Sequence, residues 1–322
     1  MTARIHHYVP QLYLRGFCRD PKRPTLFVVD AIEKRTFETS PRNVAAERDF
    51  NRINIDGFAP DKLEMDLAKF EGEVAAAISR ISDRKTFRDA EDRAVVLNLL
   101  GLMALRNPRQ RDKLDDFQSR TAKMMLSLIV ETPERWAAQI ARAKAAGYIK
   151  AEADDLYEKV KAFVKRGEFD IPMARERHIA LELSTFDKIL PFLFERKWTL
   201  LRAHHDSGGF VTSDHPVCLM WTDPKMHGGF YGPGFGLTKT AVLFPLTMEL
   251  ALVGTFEGYE GEMDAHVFNV AQCNATTIGF AERQIYAAGA DFPYWRQGPS
   301  PCAVGEELLG DGSFVRPRVD DH

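Results

Sequence analysis

The hydrophobic pattern changes period twice along the chain, and this limits the possible folds more than any other feature. Residues 25–30 (TLFVVD) and 34–37 are short β-branched and aromatic runs, separated by Ala31-Ile32-Glu33, which suits a hairpin. From Asp61 the apolar positions Leu63, Leu67, Phe70, Val74, Ala77, Ile78 and Ile81 recur every three or four residues, so one face of a helix is apolar. Acidic residues at 89–92 then suit a helix start ahead of Val95, Val96, Leu99, Leu102, Met103 and Leu105. Pro108 ends this helix or begins the next, which stops before Pro133, and further helices are expected at 133–146, 152–166 and 173–190. From Lys197 the pattern returns to strands: KWTLLRA, GFVTSD, VCLMW, AVLFPL and LALVGTF. One more helix is expected from Glu262 to about Thr276, followed by TIGFA and QIYAA.

Strands at both ends with helices between predict an α+β fold. Its mixed or antiparallel sheet is built from the N-terminal and C-terminal parts, and a helical layer or lobe lies between them. A single domain is expected over 1–290, strand-rich in 1–59, helical in 60–195 and strand-rich in 196–290. The tail 291–322, rich in Pro, Gly and acidic residues, is expected to be loop-like or disordered.

Composition excludes several classes. The longest apolar run, Val95–Leu105, is interrupted by Asn98 and Gly101 and is about half of the roughly 20 residues that a spanning helix needs. No secretory leader is visible, so a cytoplasmic protein with no membrane association is expected. Cys18, Cys218, Cys273 and Cys302 form no C-x-x-C pair, which argues against a disulfide framework and a cysteine zinc site. Net charge is −3, and residues 1–59 carry ten Lys/Arg against seven Asp/Glu. That excess is too small for a broad nucleic-acid footprint, but a local anion site stays open.

Chemistry-bearing residues concentrate in two places. The opening His6-His7-Tyr8-Val9-Pro10-Gln11-Leu12-Tyr13-Leu14-Arg15-Gly16-Phe17 places two histidines before a short helix that starts near Pro10 and stops at Gly16. Such a helix mouth can hold a phosphate or carboxylate beside an imidazole. Adjacent histidines on extended chain project to opposite sides, so one of them faces a site. The structural alternative is one buried and one surface histidine. The second place is Phe210–Val217, an apolar strand ending in Ser213-Asp214-His215-Pro216. Asp214 there is a candidate orienter, metal ligand or general base, against the alternative of an Asx-turn. Ser213 lacks the G-x-S-x-G setting of a hydrolase elbow. Arg106 and Arg109, in RNPRQR, offer guanidinium groups between two helices. His204-His205-Asp206, ahead of Gly208-Gly209, reads as an exposed hairpin tip rather than a metal site, and the glycines of 228–236 read as a flexible loop.

HHYVPQLYLRGF resembles the opening of the bacterial family described as domain of unknown function 4238. SPRNVAAERDF (40–50), ALRNPRQR (104–111), Trp198 followed by FVTSDHPV, FPLTMELAL (244–252), and Asn274 followed by Ala281-Glu282-Arg283 resemble its later motifs in order, over about 5–288. The chain carries His215 where the resemblance leads one to expect Asn. The resemblance implies no substrate, cofactor or reaction. It contributes matched positions: His6, His7, Pro10, Arg42, Asn43, Arg106, Arg109, Ser213, Asp214 and Asn274.

Imidazole, guanidinium, carboxylate and amide groups scattered over a chain can converge on one pocket. The expected function is a hydrolase acting on a phosphodiester or phosphoryl substrate, such as a defence nuclease. His6 or His7 would be base or ligand to a divalent metal, Asp214 the orienter or a second ligand, and Arg42, Arg106, Arg109, Ser213 and Asn274 the substrate-binding groups. The competing expectation is a non-enzymatic anion- or protein-binding module using the same residues. Partners would be an anionic small molecule or nucleic acid.

Overall fold

A computed structural model describes residues 4–20, 22–54, 57, 59–149, 156–226, 228–229, 231–296, 302–312 and 314. The fold is α+β, with antiparallel and mixed sheets. The sequence reading expects one domain, whereas the chain divides into two compact units, Met1–Asn107 with Ile179–His322, and Pro108–His178. Among the described residues no helix is long and apolar enough to cross a membrane.

The first unit holds both main sheets. In one, β2 (Leu26–Asp30) pairs antiparallel with β3 (Arg35–Thr39) and with β11 (Gln284–Ala287), whose other neighbour is β6 (Thr212–Ser213). The two ends of the chain therefore share this sheet, as the strand-rich ends lead one to expect. The second, five-stranded sheet comes entirely from the C-terminal part, in the order β10 (Gly261–Ala265), β5 (Lys197–Ala203), β9 (Leu250–Thr255), β8 (Thr240–Thr247), β7 (Cys218–Trp221). It is mixed, because β10 runs parallel to β5 with Ala265 opposite Ala203. β8 is buried along its whole length, and its Pro245, which cannot donate to a ladder, stands where the pairing with β9 shifts register.

Helices α2 (Lys62–Arg84) and α3 (Ala90–Leu105) complete the core. Asp89 caps α3 by accepting from the N–H groups of Glu91 and Asp92. Glycine at 101 lets α3 approach the Phe186 and Leu193 side chains closely. One continuous cluster joins Val9, Tyr13, Leu14 and Phe17 of the opening motif to Val74 and Ile81 of α2, Val96 and Leu100 of α3, and Trp198, Phe244 and Leu252 of the five-stranded sheet. Short helix α1 (Gln11–Arg15) ends at Gly16, whose backbone is right-handed; glycine serves there for close approach, since a Cβ would meet the Leu246 carbonyl and Thr247.

The second unit contains α4 (Pro108–Ile129), α5 (Pro133–Ala145) and α6 (Tyr157–Arg166), and the unit boundary at 178/179 falls within α7 (Arg175–Phe194). Its returning segment is pinned to α4. Asp115 accepts from the Met173 N–H and meets His178 Nε2 at 3.0 Å, and Ser119 Oγ accepts from the Ile171 N–H.

Two expectations need correction. Glu262–Ala265 belongs to β10 rather than a helix; α8 starts later and spans Val267–Phe280, absorbing most of the TIGFA segment expected to follow the helix. Parallel pairing with β5 overrides the weak helical preference of GEMDA. The tail beyond Asp291 is not loop-like where it is described: β12 (Pro293–Trp295) pairs with β13 (Cys302–Val304), and a 3-10 turn follows over Gly305–Gly310. Phe292, Tyr294, Ala303, Leu308 and Phe314 form a core with Val29, Val211 and Ile285. Their irregular spacing hides them from any periodicity test. Ending the chain after Asp291 removes four of these large buried side chains, each contributing about 1.5–3 kcal/mol, and so should exhaust most of a typical stability margin. Urea denaturation should show the truncated chain largely unfolded in buffer.

Candidate functional site

Strand β1 (Ile5–His7) pairs antiparallel with β4 (Ala46–Arg48), and the alternation of a strand sends its two histidines to opposite sides. His6 is buried, and its Nδ1 accepts from the Asn51 backbone N–H at 2.9 Å. His7 is half-buried. Its Nε2–H donates to the Arg42 carbonyl at 3.2 Å and its Nδ1 accepts from Gln11 Nε2 at 3.4 Å, a pair of contacts that selects the neutral Nε2–H tautomer. Burial pushes the His7 pKa down, which agrees with that neutral state.

His7 opens onto a narrow cleft with Tyr8, Asn51, Glu64, Glu71 and Arg106. Asn51 organises it: its Oδ1 accepts from Arg106 Nη2 at 2.5 Å and its Nδ2 donates to Glu64 Oε2 at 2.6 Å. Its backbone N–H meanwhile holds His6, so one residue ties together the histidine motif, α2 and the end of α3. Glu64 and Glu71 stand seven residues apart on α2, two turns along the same face. Burial pushes the Glu71 carboxyl above its ordinary value, the charge of Glu64 pushes the same way, and the Arg106 guanidinium opposes both. The free volume of about 20 Å³ is close to what one ordered water requires. A water held there would sit among a carboxylate pair, a neutral imidazole and a guanidinium.

Only part of the expected constellation converges here. His7 and Arg106 line the cleft, and His6 supports it through Asn51. Arg42 contributes its backbone carbonyl, while its side chain is exposed. Arg109 belongs to the other compact unit and does not line the cleft. The remaining three residues are absent from the cleft and are engaged by backbone instead. Ser213, wholly buried, accepts from the His215 N–H. Asp214 accepts from three successive N–H groups, those of Glu282, Arg283 and Gln284, at 3.0, 2.7 and 3.0 Å. Burial nevertheless pushes its carboxyl up to about 6. Asn274, with no exposed surface, accepts from the Val211 N–H and donates to the carbonyls of Gly209 and Pro293. Asp214 and Asn274 are therefore clasps between segments distant in sequence.

Sequence reasoning missed Tyr8, Asn51, Glu64 and Glu71. For the two glutamates a signal exists, because they flank the apolar stripe Leu67, Phe70 and Val74 rather than lying on the far side of α2. Asp214→Ala should leave three buried N–H donors without their acceptor and cost at least about 3 kcal/mol. His7→Ala should cost clearly less, since His7 is half-buried and neutral. Equilibrium urea unfolding of the two variants checks the order, and equal losses would contradict it.

No curated protein and no solved structure matches the chain. Residues 5–291 match the family described as protein of unknown function (DUF4238). That match runs from β1, through the cleft residues on α2 and α3, to the Asp214 clasp at 282–284, and the chain belongs to this family.

Proposed function

We propose that the His7 cleft is the active site of a hydrolase acting on a phosphodiester or phosphoryl substrate, with Glu71 as the general base. The observation that carries this reading is the raised Glu71 carboxyl, held between Glu64 and Arg106 in a space suited to one water. A carboxylate whose pKa is moved toward neutrality is a better proton acceptor than an ordinary one. Its ionised form takes the proton from the attacking water as the water oxygen bonds to phosphorus, the ester P–O bond breaks and the leaving alcohol oxygen takes a proton from solvent, while the Arg106 guanidinium meets the charge that develops on the phosphoryl oxygens. Asn51, bonded to both, keeps Arg106 and Glu64 in place. His7 closes one side of the cleft through its bonds to Arg42 and Gln11. A small phosphodiester docking at the cleft mouth suits this site better than a long nucleic acid, which calls for a basic surface that a chain of net charge −3 and pI near 6.3 does not provide. We place the reaction in the cytoplasm, a setting that keeps the four cysteines reduced.

A second reading, anion binding without turnover, draws support from His7, both of whose ring nitrogens are already engaged. Turnover of a chromogenic phosphodiester separates the two. Glu71→Gln should lower kcat by about 10²–10⁴-fold, and Arg106→Lys should lower it while leaving the fold intact. Unchanged turnover in Glu71→Gln would overturn the hydrolase reading.

The same substitution has a stability signature. A carboxyl raised in the folded state contributes stability that is fully present below its unfolded pKa, about 4.3, and is lost as pH rises through the folded value. Glu71→Gln should therefore melt higher than the parent chain at pH near 7, with the gap closing near pH 4. Melting curves across this range provide the check.

A further inference from the structure

Among the described residues, one group of His, Cys, Asp and Glu side chains comes within metal-holding distance, and it lies outside the His7 cleft: His204, His205 and Asp206, whose donor atoms all fall within 4.8 Å of one another. His204 Nδ1 and Asp206 Oδ1 are hydrogen-bonded. The imidazole centroids of His204 and His205 are 4.3 Å apart, and that of His266 is 5.6 Å from His204. Three imidazoles and a carboxylate thus gather at one end of the five-stranded sheet.

Topology produces this gathering. Strands β5 and β10 are parallel with Ala203 opposite Ala265, so the next residues, His204 and His266, leave the sheet side by side. The His204 N–H donates to the Ala265 carbonyl at 2.9 Å and fixes that relation. The turn that carries His205 and Asp206 is equally determined. Ser207 N–H closes on the His204 carbonyl, and Gly208 and Gly209 follow at φ +77° and +81°. A Cβ on Gly208 would come within 2.7 Å of Pro293, and one on Gly209 within 2.8 Å of the Met248 carbonyl. The ligating side chains are exposed, but the backbone that presents them has one path.

We propose that His204, His205 and Asp206, joined by a rotamer turn of the exposed His266, bind one divalent transition-metal ion of the zinc type. Neutral imidazole with a single carboxylate suits zinc, copper or nickel, whereas magnesium and calcium require more oxygen ligands. Asp206 is placed for the role, since its carboxylate already stands against the His204 imidazole within the same cluster. His204 and His205 also line a cavity of about 730 Å³. The cations of its wall are paired with acids: Arg19 with Asp291, Lys85 with Glu249, and Arg202 with Asp264. A bound divalent ion would turn this balanced wall positive and make the cavity a place for an anionic ligand. The site does not depend on the reading of the His7 cleft.

The test uses the full chain, stripped with a chelator and titrated calorimetrically with Zn²⁺ and with Mg²⁺ at neutral pH. One Zn²⁺ should bind and Mg²⁺ should not. His204→Ala and His205→Ala should each weaken Zn²⁺ binding about tenfold or more, as loss of a direct ligand should cost at least as much as loss of an outer partner. His266→Ala should weaken it less, and His7→Ala not at all. Co²⁺ should give a visible absorption spectrum that disappears in the His204→Ala/His205→Ala double variant. Because these residues are exposed, circular dichroism of the variants should match that of the parent. Absence of Zn²⁺ binding, binding unchanged in the double variant, or loss of binding in His7→Ala would each overturn the proposal.

Discussion

A single phenol hydroxyl links the parts on which the candidate site depends. Tyr13 on α1 donates to the Pro245 carbonyl of β8 at 2.6 Å and shares a 2.8 Å hydrogen bond with Thr212 Oγ1 of β6. Its ring stacks on Phe244 at 5.3 Å. The carbonyl belongs to the five-stranded sheet and the threonine to the four-stranded one, so α1 is locked to both. Pro245 lies beyond Leu243, the last β8 residue paired with β7, and at the register shift in the pairing with β9. Because α1 is barely one turn long, it has almost no stability of its own. Its position, and with it the entry of His7 into the cleft, comes from Tyr13 and the apolar contacts of Leu14 and Phe17.

Polar clasps do for the four-stranded sheet what Tyr13 does between sheets. Asp30, fully buried, accepts from Arg283 Nε at 2.8 Å and from Gln284 Nε2 at 2.7 Å, and also from the N–H groups of Ile32 and Glu33 in the β2–β3 turn. Asp214 takes the backbone N–H groups of the same 282–284 segment from the other side. Two carboxylates far apart in sequence thus fix where β11 begins. Buried charges of this kind are tolerated because every oxygen is engaged by donors.

The parts legible in the sequence are those governed by local physics. The periodicity of 63–81, the acidic cap at Asp89 and the prolines at 108 and 133 place α2 to α5 within a few residues of where they lie. The switch back to strands at Lys197 is equally plain. Long-range decisions are not legible: GEMDA becomes a strand because β5 offers it an edge, and FPYW with CAV becomes core because Val29 and Ile285 await it. The candidate site divides along the same line. His7 and Arg106 are visible as motif residues. The glutamates of α2 carry a signal in flanking its apolar stripe, but nothing in the sequence tells that Asp214 and Asn274 clasp the backbone of distant segments. Residue type announces chemistry, but only the fold decides whether a carboxylate meets substrate or peptide N–H.

The order in which the chain is made bears on the sheet that joins its ends. Strand β2 has its hairpin partner β3 within a few residues, but its other edge is completed by β11, some 250 residues later. Val29 stays uncovered until Phe292 and Leu308 have also been made. Throughout synthesis the nascent chain therefore carries an unpaired, Val-rich edge, while Pro108–His178 can close on partners within its own span. For an interval set by translation speed, the emerging polypeptide is vulnerable to strand exchange with another nascent copy, a hazard that ends only when β11 has been made.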